Sequence, residues 1–299
     1  MPAANVVPSH AVRVATSPTA TPYKYSYATV DDEGGSTTFN EVLGMNDLGA
    51  VVGYYENASF TRGFSSFPPY SSFHVVDYPN SLTTIATSTS NNKIIAGYFT
   101  EGKTGITTLG FIRDRGLWAT YKDFHTPKGE NTVNELLGVN DNDIAVGFYV
   151  DSYGNDQPYA VASRHFTTLK PPNYVSARAT GVNLRGDIVG SAILNDGSSV
   201  GWVYRSGNYR EFTFPNATVT APTSLNIQNQ IAGSYVDGSN NTHGFVVTDL
   251  ANSAKTLWQT IDEPNAVGTT VVTTVNNHHA ISGWYIDAYG NTNGFVGTL

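Results

Sequence analysis

The chain has 299 residues, 13% of them charged, and its formal net charge at pH 7 is −8. That acidic balance, with no cluster of Lys and Arg, argues against a nucleic-acid partner or an anionic membrane surface. The chain contains no Cys, so disulfides, thiol catalysis and Cys-ligated zinc sites are excluded. No apolar run approaches the roughly 18 residues that a membrane-spanning helix requires.

The first 22 residues are rich in Ala, Pro, Ser, Thr and Val and lack the apolar core of a signal peptide. We expect a flexible lead-in over residues 1–22, left after removal of a leader, and one domain over residues 23–299. The low charge and the many Ser, Thr and Asn residues are typical of secreted β-proteins and of the secretory pathway. Three sequons begin at Asn57, Asn216 and Asn240 and permit glycosylation in a secretory host.

From Phe39 onward one motif returns six times. The stretch from Gly44 to Tyr54 has an Asn at its third place and a glycine at its tenth, and the stretch from Gly138 to Phe148 repeats both. The recurring glycine, called the anchor glycine below, is separated from the next by 43 to 50 residues. A period of this size with strand-like content is typical of β-propeller blades. The anchor glycines are Gly53, Gly97, Gly147, Gly190, Gly233 and Gly283.

Each repeat reads as four strands. An inner strand ends at a tight turn whose Asn and Gly tolerate the left-handed backbone region. The second strand carries the anchor glycine, for which we expect close approach of a neighbouring backbone, and a third strand starts at a Gly-aromatic pair. Aromatic and β-branched residues predict an outer strand as the fourth. The predicted outer strands are residues 27–31, 73–77, 121–124, 166–169, 210–214 and 258–262.

The first outer strand precedes every complete repeat. It is therefore expected to pair with the last third strand, around Phe295, and to close the ring, which hides the edges of a linear array. The sequence predicts an all-β fold: a six-bladed β-propeller of four-stranded blades closed by its N-terminal strand.

The repeat resembles the HAF-type repeat of extracellular β-propellers, in which an Ile-Asn turn, an Ile-Val-Gly-x-Tyr strand, a Gly-Phe strand and a Thr-Ile-Asp-x-Pro outer strand follow one another. In this chain the related elements are seen in Val275–Asn276, Val51–Tyr55, Gly294–Phe295 and Thr260–Pro264. At the level of whole-chain architecture it is also similar to secreted fungal propellers that guide hetero-Diels–Alder cycloadditions in natural-product pathways. That resemblance implies a cofactor-free reaction of a small organic substrate, and it transfers no catalytic residue.

Three charged residues stand at equivalent places on the inner strands: Glu41, Glu135 and Arg178. The other repeats carry an apolar or small residue there. Charges on an inner strand are costly unless they pair or face water. One interpretation is a structural ion network; the other is a site at the channel mouth. In the second, Arg178 donates to a carbonyl or oxyanion, Glu135 holds it in place, and Glu41 is a general acid–base or a polar wall.

Further binding residues are expected on the face of the ring that carries the loops before the inner and third strands. Aromatic stacking there would supply most of the binding energy. Three Asp-rich loops lack the full ligand set of a calcium site, and the sequence has neither a phosphate-cradling loop nor a dinucleotide fingerprint, so we expect no metal and no cofactor. The candidate substrate-binding residues are Tyr78, His125, Lys170, Trp258, Asp262, Asn40 and Asn134.

Two functions remain open from the sequence. One is a cofactor-free enzyme, related to cyclases, that orients a small, partly aromatic organic substrate by hydrogen bonding at the loop face or central channel. The other is an extracellular binding protein, lectin-like or with a protein partner. An enclosed pocket with aromatic walls and charged groups would favour the enzyme, whereas shallow repeated grooves would favour the lectin-like protein. The sequence leaves the oligomeric state open.

Overall fold

The computed structural model describes residues 22–31, 39–57, 59–101, 107–123, 125, 132–250 and 255–299. Within them the chain forms 24 β-strands and no helix, so none of the described segments is a helix that could span a membrane. The predicted lead-in lies outside the described residues, apart from Pro22.

The strands follow the sequence repeats. Repeats 1 to 5 each supply four consecutive strands, while repeat 6 supplies three and is completed by β1. The strands of repeats 1 to 3 are β2 Phe39–Met45, β3 Val51–Glu56, β4 Thr61–Ser66, β5 Phe73–Val76, β6 Thr84–Thr89, β7 Ile95–Glu101, β8 Thr107–Asp114, β9 Leu117–Tyr121, β10 Asn134–Val139, β11 Ile144–Val150, β12 Asp156–Ala162 and β13 His165–Thr168. The remaining strands are β14 Tyr174–Val182, β15 Ile188–Leu194, β16 Ser199–Arg205, β17 Asn208–Phe212, β18 Val219–Leu225, β19 Gln230–Val236, β20 Thr242–Thr248, β21 Leu257–Ile261, β22 Thr270–Val275, β23 Ile281–Ile286, β24 Thr292–Thr298 and β1 Ser26–Val30.

The prediction of six separate four-stranded blades is wrong. The described strands form four separate four-stranded blades, from repeats 2 to 5, and one eight-stranded sheet that contains repeats 6 and 1. A parallel bridge between Phe39 of β2 and Thr292 of β24 joins the two halves of that sheet. Similar bridges between neighbouring repeats, such as Thr61 to Thr83, involve a residue outside the named strands. The merger therefore reflects where β2 begins, which the repeat pattern does not specify.

The N-terminal strand closes the ring, as predicted. β1 pairs antiparallel with β24 over five residue pairs, from Ser26 with Thr298 to Val30 with Gly294. Contacts between β2 and β23 complete the circle of neighbouring repeats. Apolar clusters fill the space between adjacent repeats: Val52 of β3, for example, packs with Ala86 and Phe111 of repeat 2.

The anchor glycines lie where two strands of one repeat approach closely, which confirms the expectation of a close backbone contact. A Cβ built on Gly53 would stand 1.8 Å from the carbonyl oxygen of Glu41. The register of β2 against β3 shifts between Val42 and Gly44, and such bulges occur at the same place in every inner strand. The bulge pushes a carbonyl toward the second strand, so a side chain has no room there.

The tight turns use Asn differently from the prediction. The positive φ falls three residues after the Asn, at Gly49 (φ 79°) or His279 (φ 64°). The Asn46 side-chain oxygen accepts backbone hydrogen bonds from Leu48 and Ala50, both 3.0 Å. Its Nδ2 donates to the Ser90 carbonyl of the next repeat at 3.0 Å. The Asn therefore both shapes its own turn and links adjacent repeats.

One outer strand lies earlier than predicted. Repeat 2 uses residues Leu117–Tyr121 as its outer strand in place of the predicted 121–124, of which Phe124 lies outside the described residues. The Asp114–Gly116 turn lets β9 start directly after β8, with Asp114 paired to Leu117. The other five outer strands overlap their predicted ranges.

Candidate functional site

The inner strands carry the predicted charged trio at equivalent places of repeats 1, 3 and 4. Each member is paired across its hairpin with the residue that follows the anchor glycine: Glu41 with Tyr54 and Glu135 with Phe148. The Tyr98 hydroxyl, at the same place in repeat 2, interacts electrostatically with Glu41, Glu135 and Arg178. Tyr98 belongs to repeat 2, which lies between the repeats of Glu41 and Glu135, and all three charges influence its pKa. The catalytic role of the trio stays a prediction.

Arg178 is held between a carboxylate and an aromatic ring. Its Nε donates to Asp156 Oδ2 at 2.5 Å, and its Cζ lies 4.2 Å from the centroid of the Phe148 ring. The Asp156 backbone N–H in turn donates to Ser176 Oγ at 3.0 Å. Arg178 is nevertheless half exposed, so its guanidinium is both oriented and available to a ligand. The predicted positioning partner Glu135 makes its own hydrogen bond, from Thr108 Oγ1 at 3.2 Å.

The two glutamates of the trio are shifted toward the protonated form. Burial raises the pKa of Glu135 to about 7, against the opposing effects of Arg178 and Thr108. Burial also raises the pKa of Glu41 to about 7, and the nearby Glu56 adds to that rise, although a hydrogen bond from Tyr54 opposes it. Burial and these same carboxylates raise the pKa of Tyr98 above its ordinary value. Both glutamates therefore exchange protons near neutral pH.

These shifts predict that the two glutamates destabilise the fold as pH rises. The folded pKa of about 7 exceeds the ordinary 4.5, so between those values the native state binds more protons than the unfolded chain, and stability falls with increasing pH. We expect the Glu41→Gln, Glu135→Gln double variant to unfold at higher urea than the parent at pH 8 and at a similar concentration at pH 4.5. Equal midpoints for the two proteins at pH 8 would contradict the assignment. Because the parent and the double variant share all their other titrating groups, the difference between their urea midpoints reports the two glutamates alone.

A cavity of about 260 Å³ opens beside Arg178, between repeats 4 and 5. Its walls combine a cation, a carboxylate, three hydroxyls and apolar side chains. The lining residues are Asp156, Ser176, Ala177, Arg178, Ser191, Ala192, Ile193, Ser199, Val219 and Ala221.

Small residues create this cavity. Ser191 follows the anchor glycine of repeat 4, at the place of Tyr54, Tyr98 and Phe148 in the first three repeats. Ala221 of repeat 5 stands at the inner-strand place that Arg178 occupies in repeat 4. Between repeats 3 and 4 the equivalent residues, Phe148 and Arg178, stack on one another. Between repeats 4 and 5 the pair is Ser and Ala, and the space remains open.

The predicted loop residues do not line this cavity. Tyr78 stacks on Phe99 with ring centroids 3.6 Å apart, and Trp258 packs against an apolar cluster formed by residues of repeats 4 and 5. Asp262 Oδ1 accepts from His243 Nδ1 at 2.8 Å, His125 pairs with Asp123 at 2.9 Å, and the backbone N–H of Lys170 donates to the Tyr209 hydroxyl. These contacts are with loop and core residues, and the binding role of the five residues stays a prediction.

The two predicted asparagines are buried and differ in their surroundings. Asn134 Oδ1 accepts from the Tyr159 hydroxyl at 3.1 Å. The equivalent third-strand aromatic of repeat 1 is Phe64, which has no hydroxyl, and the Asn40 side chain has no hydrogen-bond partner within the described ranges. Neither asparagine lines the cavity beside Arg178.

The three sequon asparagines are exposed. Asn216 and Asn240 have φ values of 63° and 67° at turns, and Asn57 Oδ1 accepts from the Ser59 backbone N–H at 2.8 Å. The Asp-rich loops are turns: Asp151 Oδ1 accepts from the backbone N–H groups of Tyr153 and Asn155. Glycosylation of these sites stays a prediction.

Sequence reasoning missed Tyr98, Asp156 and Ser191. A signal for Tyr98 and Ser191 was present, because the residue after each anchor glycine faces the inner-strand place of the trio across the hairpin. Comparing that column among repeats separates the aromatic residues of repeats 1 to 3 from Ser191. No comparable pattern marks Asp156, which lies at the start of the third strand of repeat 3.

Neither the family models nor the curated proteins include a match to this chain. Solved structures do match. TolB from Acinetobacter baumannii is 11% identical with a TM-score of 0.56, over 83% of this chain and 63% of that chain. Aleuria aurantia lectin, in complex with Fucα1-6GlcNAc, is 9% identical with a TM-score of 0.55, over 86% and 90%. AofleA from Arthrobotrys oligospora is 11% identical with a TM-score of 0.50, over 95% and 90%.

These neighbours are β-propellers, and they support an all-β propeller fold for this chain. Because the identities are so low, the similarity concerns the fold alone. The chain spans 63% of the length of the TolB structure. The resemblance to HAF-type repeats and to hetero-Diels–Alderases receives no support from these comparisons beyond the shared propeller architecture.

Proposed function

We propose that this protein binds a small, neutral, hydroxyl-rich ligand, such as one sugar unit, in the cavity between repeats 4 and 5. The observation that carries the proposal is the Arg178–Asp156 pair at the wall of a cavity that Ser191 and Ala221 leave open. Ligand pockets of folded proteins combine an apolar lining with a few placed polar groups, as this one does.

The polar groups suit hydroxyls better than a charged ligand. The guanidinium offers donors and the carboxylate offers acceptors, so adjacent hydroxyl groups of a sugar find both partners. The Arg178–Asp156 pair has no net charge, and the chain as a whole carries −8, so an anion gains little attraction here. Ser176, Ser191 and Ser199 add hydroxyls that both donate and accept.

The lectin among the structural neighbours shows that a propeller of this general shape holds a fucose-containing disaccharide. That fact belongs to the lectin, whose identity with this chain is 9%. It supports the proposal by analogy of fold, while the cavity of this chain supplies the chemistry.

Placing an aromatic residue at position 191 tests the site. We expect Ser191→Phe, which copies Phe148 of repeat 3, to fill the cavity and reduce binding of methyl glycosides of fucose, galactose, glucose and mannose at least tenfold in calorimetric titrations. Ser234→Phe makes the same change at the equivalent place of repeat 5, outside the cavity lining, and serves as the matched control. Equal binding by both variants would place the ligand elsewhere.

The Arg178→Ala variant provides a second test of the same site. A half-exposed ion pair contributes about 0.2–1 kcal/mol to stability, so the melting temperature should change little while binding is lost. Arg210→Ala removes an exposed arginine of β17 and is expected to leave binding intact. If no tested glycoside binds the parent protein, the proposed function fails.

A second candidate is cofactor-free catalysis by proton transfer. Glu41 and Glu135, with pKa values of about 7, lie near the Tyr98 hydroxyl, and groups that titrate near neutral pH are suited to general acid–base work. The comparisons add no support for the cycloaddition that the resemblance implied. Turnover that depends on a group of pKa near 7 and disappears in Glu135→Gln would favour this candidate.

A further inference from the structure

An uncovered aliphatic surface adjoins the polar wall of the cavity. Ile193 is 50% exposed and Val219 is 37% exposed, and both line the cavity that contains Arg178. They come from adjacent repeats, Ile193 from β15 and Val219 from β18. The apolar surface is therefore continuous with the hydroxyl-binding wall.

Repeat 4 exposes an aliphatic side chain at a place where three other repeats partly cover theirs. Ile193 lies three residues after its anchor glycine, and the aliphatic residues at the same place, Val150, Val236 and Ile286, are all partly covered. Scattered exposed apolar residues are ordinary. Here two of them border a cavity that the small residues Ser191 and Ala221 have opened, so the exposure follows from the same sequence changes as the cavity.

We infer that the natural ligand is a glycoside with an apolar aglycone, whose hydroxyl-rich part contacts Arg178 and Asp156 and whose hydrocarbon part covers Ile193 and Val219. This inference rests on the proposed function and specifies its ligand class. Covering these two side chains removes apolar surface from water, which favours binding in proportion to the area covered. A free sugar would leave that surface exposed.

Paired glycosides test the inference. Methyl and hexyl glycosides of fucose, galactose, glucose and mannose are titrated by calorimetry against the full-length protein, below any micelle-forming concentration. 1-Hexanol serves as the probe for the hydrocarbon part alone. We expect the hexyl form of at least one sugar to bind about tenfold more tightly than its methyl form. We also expect 1-hexanol to bind at least tenfold more weakly than that hexyl glycoside.

Two variants test whether the higher affinity for hexyl glycosides comes from contact with Ile193 and Val219. Ile193→Ser and Val219→Ser should each reduce the ratio of hexyl to methyl glycoside affinity at least threefold. Both side chains are exposed, so folding should persist. Leu117→Ser, which alters a 76% exposed residue of β9 outside the cavity lining, should keep the full preference.

The outcomes separate the two proposals. Equal affinity for methyl and hexyl forms, with binding still lost in Ser191→Phe, overturns the inference and leaves the proposed function standing. Equal affinity for 1-hexanol and the hexyl glycoside overturns the inference in favour of a purely apolar groove. Absence of binding by every glycoside overturns both.

Discussion

Gly147→Ala is expected to prevent stable folding. A Cβ on Gly147 would stand 1.9 Å from the carbonyl oxygen of Glu135 and 3.0 Å from the Cα of Leu136. Both obstacles are backbone atoms of β10, which the bulge between Leu136 and Gly138 fixes against β11. Relief therefore requires separation of the two innermost strands of the repeat. We expect a loss of about 5 kcal/mol or more, measured by urea unfolding or seen as insoluble expression.

Gly238→Ala is the matched control for this prediction. A Cβ on Gly238 meets no atom within 4 Å, and its φ is not in the left-handed region. Replacement of glycine by alanine at an unobstructed place reduces the freedom of the unfolded chain. Its unfolding free energy should therefore equal or slightly exceed that of the parent. If Gly147→Ala and Gly238→Ala unfold at the same urea concentration, the close approach is not what requires glycine.

The recurring features of the chain were predictable because they satisfy the same constraint six times. The anchor glycines are an example. Each inner-strand bulge brings a carbonyl oxygen to the place of a Cβ on the second strand, so the same position is glycine in all six repeats. The pairing of β1 with β24 was predictable because the count of strands leaves one outer strand ahead of all the repeats. Both are consequences of the periodic pattern, which a single sequence displays.

Features that depend on one residue or one strand end were not predictable in this way. The eight-stranded sheet arises because β2 begins at Phe39, next to Thr292, and strand ends are not fixed by periodicity. The turn Asn was assigned a left-handed conformation, yet its side-chain hydrogen bonds are what the turn uses. The sequence alone could not distinguish a left-handed backbone conformation from side-chain hydrogen bonding, since both favour Asn at a turn.

The charged trio shows the same limit at the site. Its unusual charges were visible in the aligned inner strands, and all three influence the pKa of Tyr98. The open cavity instead depends on the small side chains of Ser191 and Ala221. The aligned repeats show that Ser191 is small, but a cavity can be inferred only once its strand is known to lie beside the strand of Ala221.

Deletion of residues 1–31 is expected to unfold the protein or make it aggregate. β1 contributes five residue pairs to β24, and Val30 is fully buried beside Val42 and Phe64. Tyr27 packs edge-on against Phe295, with ring centroids 5.6 Å apart. Loss of these hydrogen bonds and apolar contacts should cost about 5 kcal/mol or more, and it leaves β24 as an exposed edge, which favours aggregation.

Deletion of residues 1–20 is the control, because it keeps every described contact of the N-terminal segment. The Tyr23 backbone N–H and carbonyl pair with the Gln259 side chain at 2.9 and 2.7 Å, and the Tyr23 ring stacks on His279. This shorter deletion should melt within about 2 °C of the parent, as expected when the change in unfolding free energy is below about 0.5 kcal/mol. Thermal melts of the two deletions, with light scattering to detect aggregation, make the comparison. If the longer deletion is monodisperse and melts like the intact chain, β1 does not close the ring in solution.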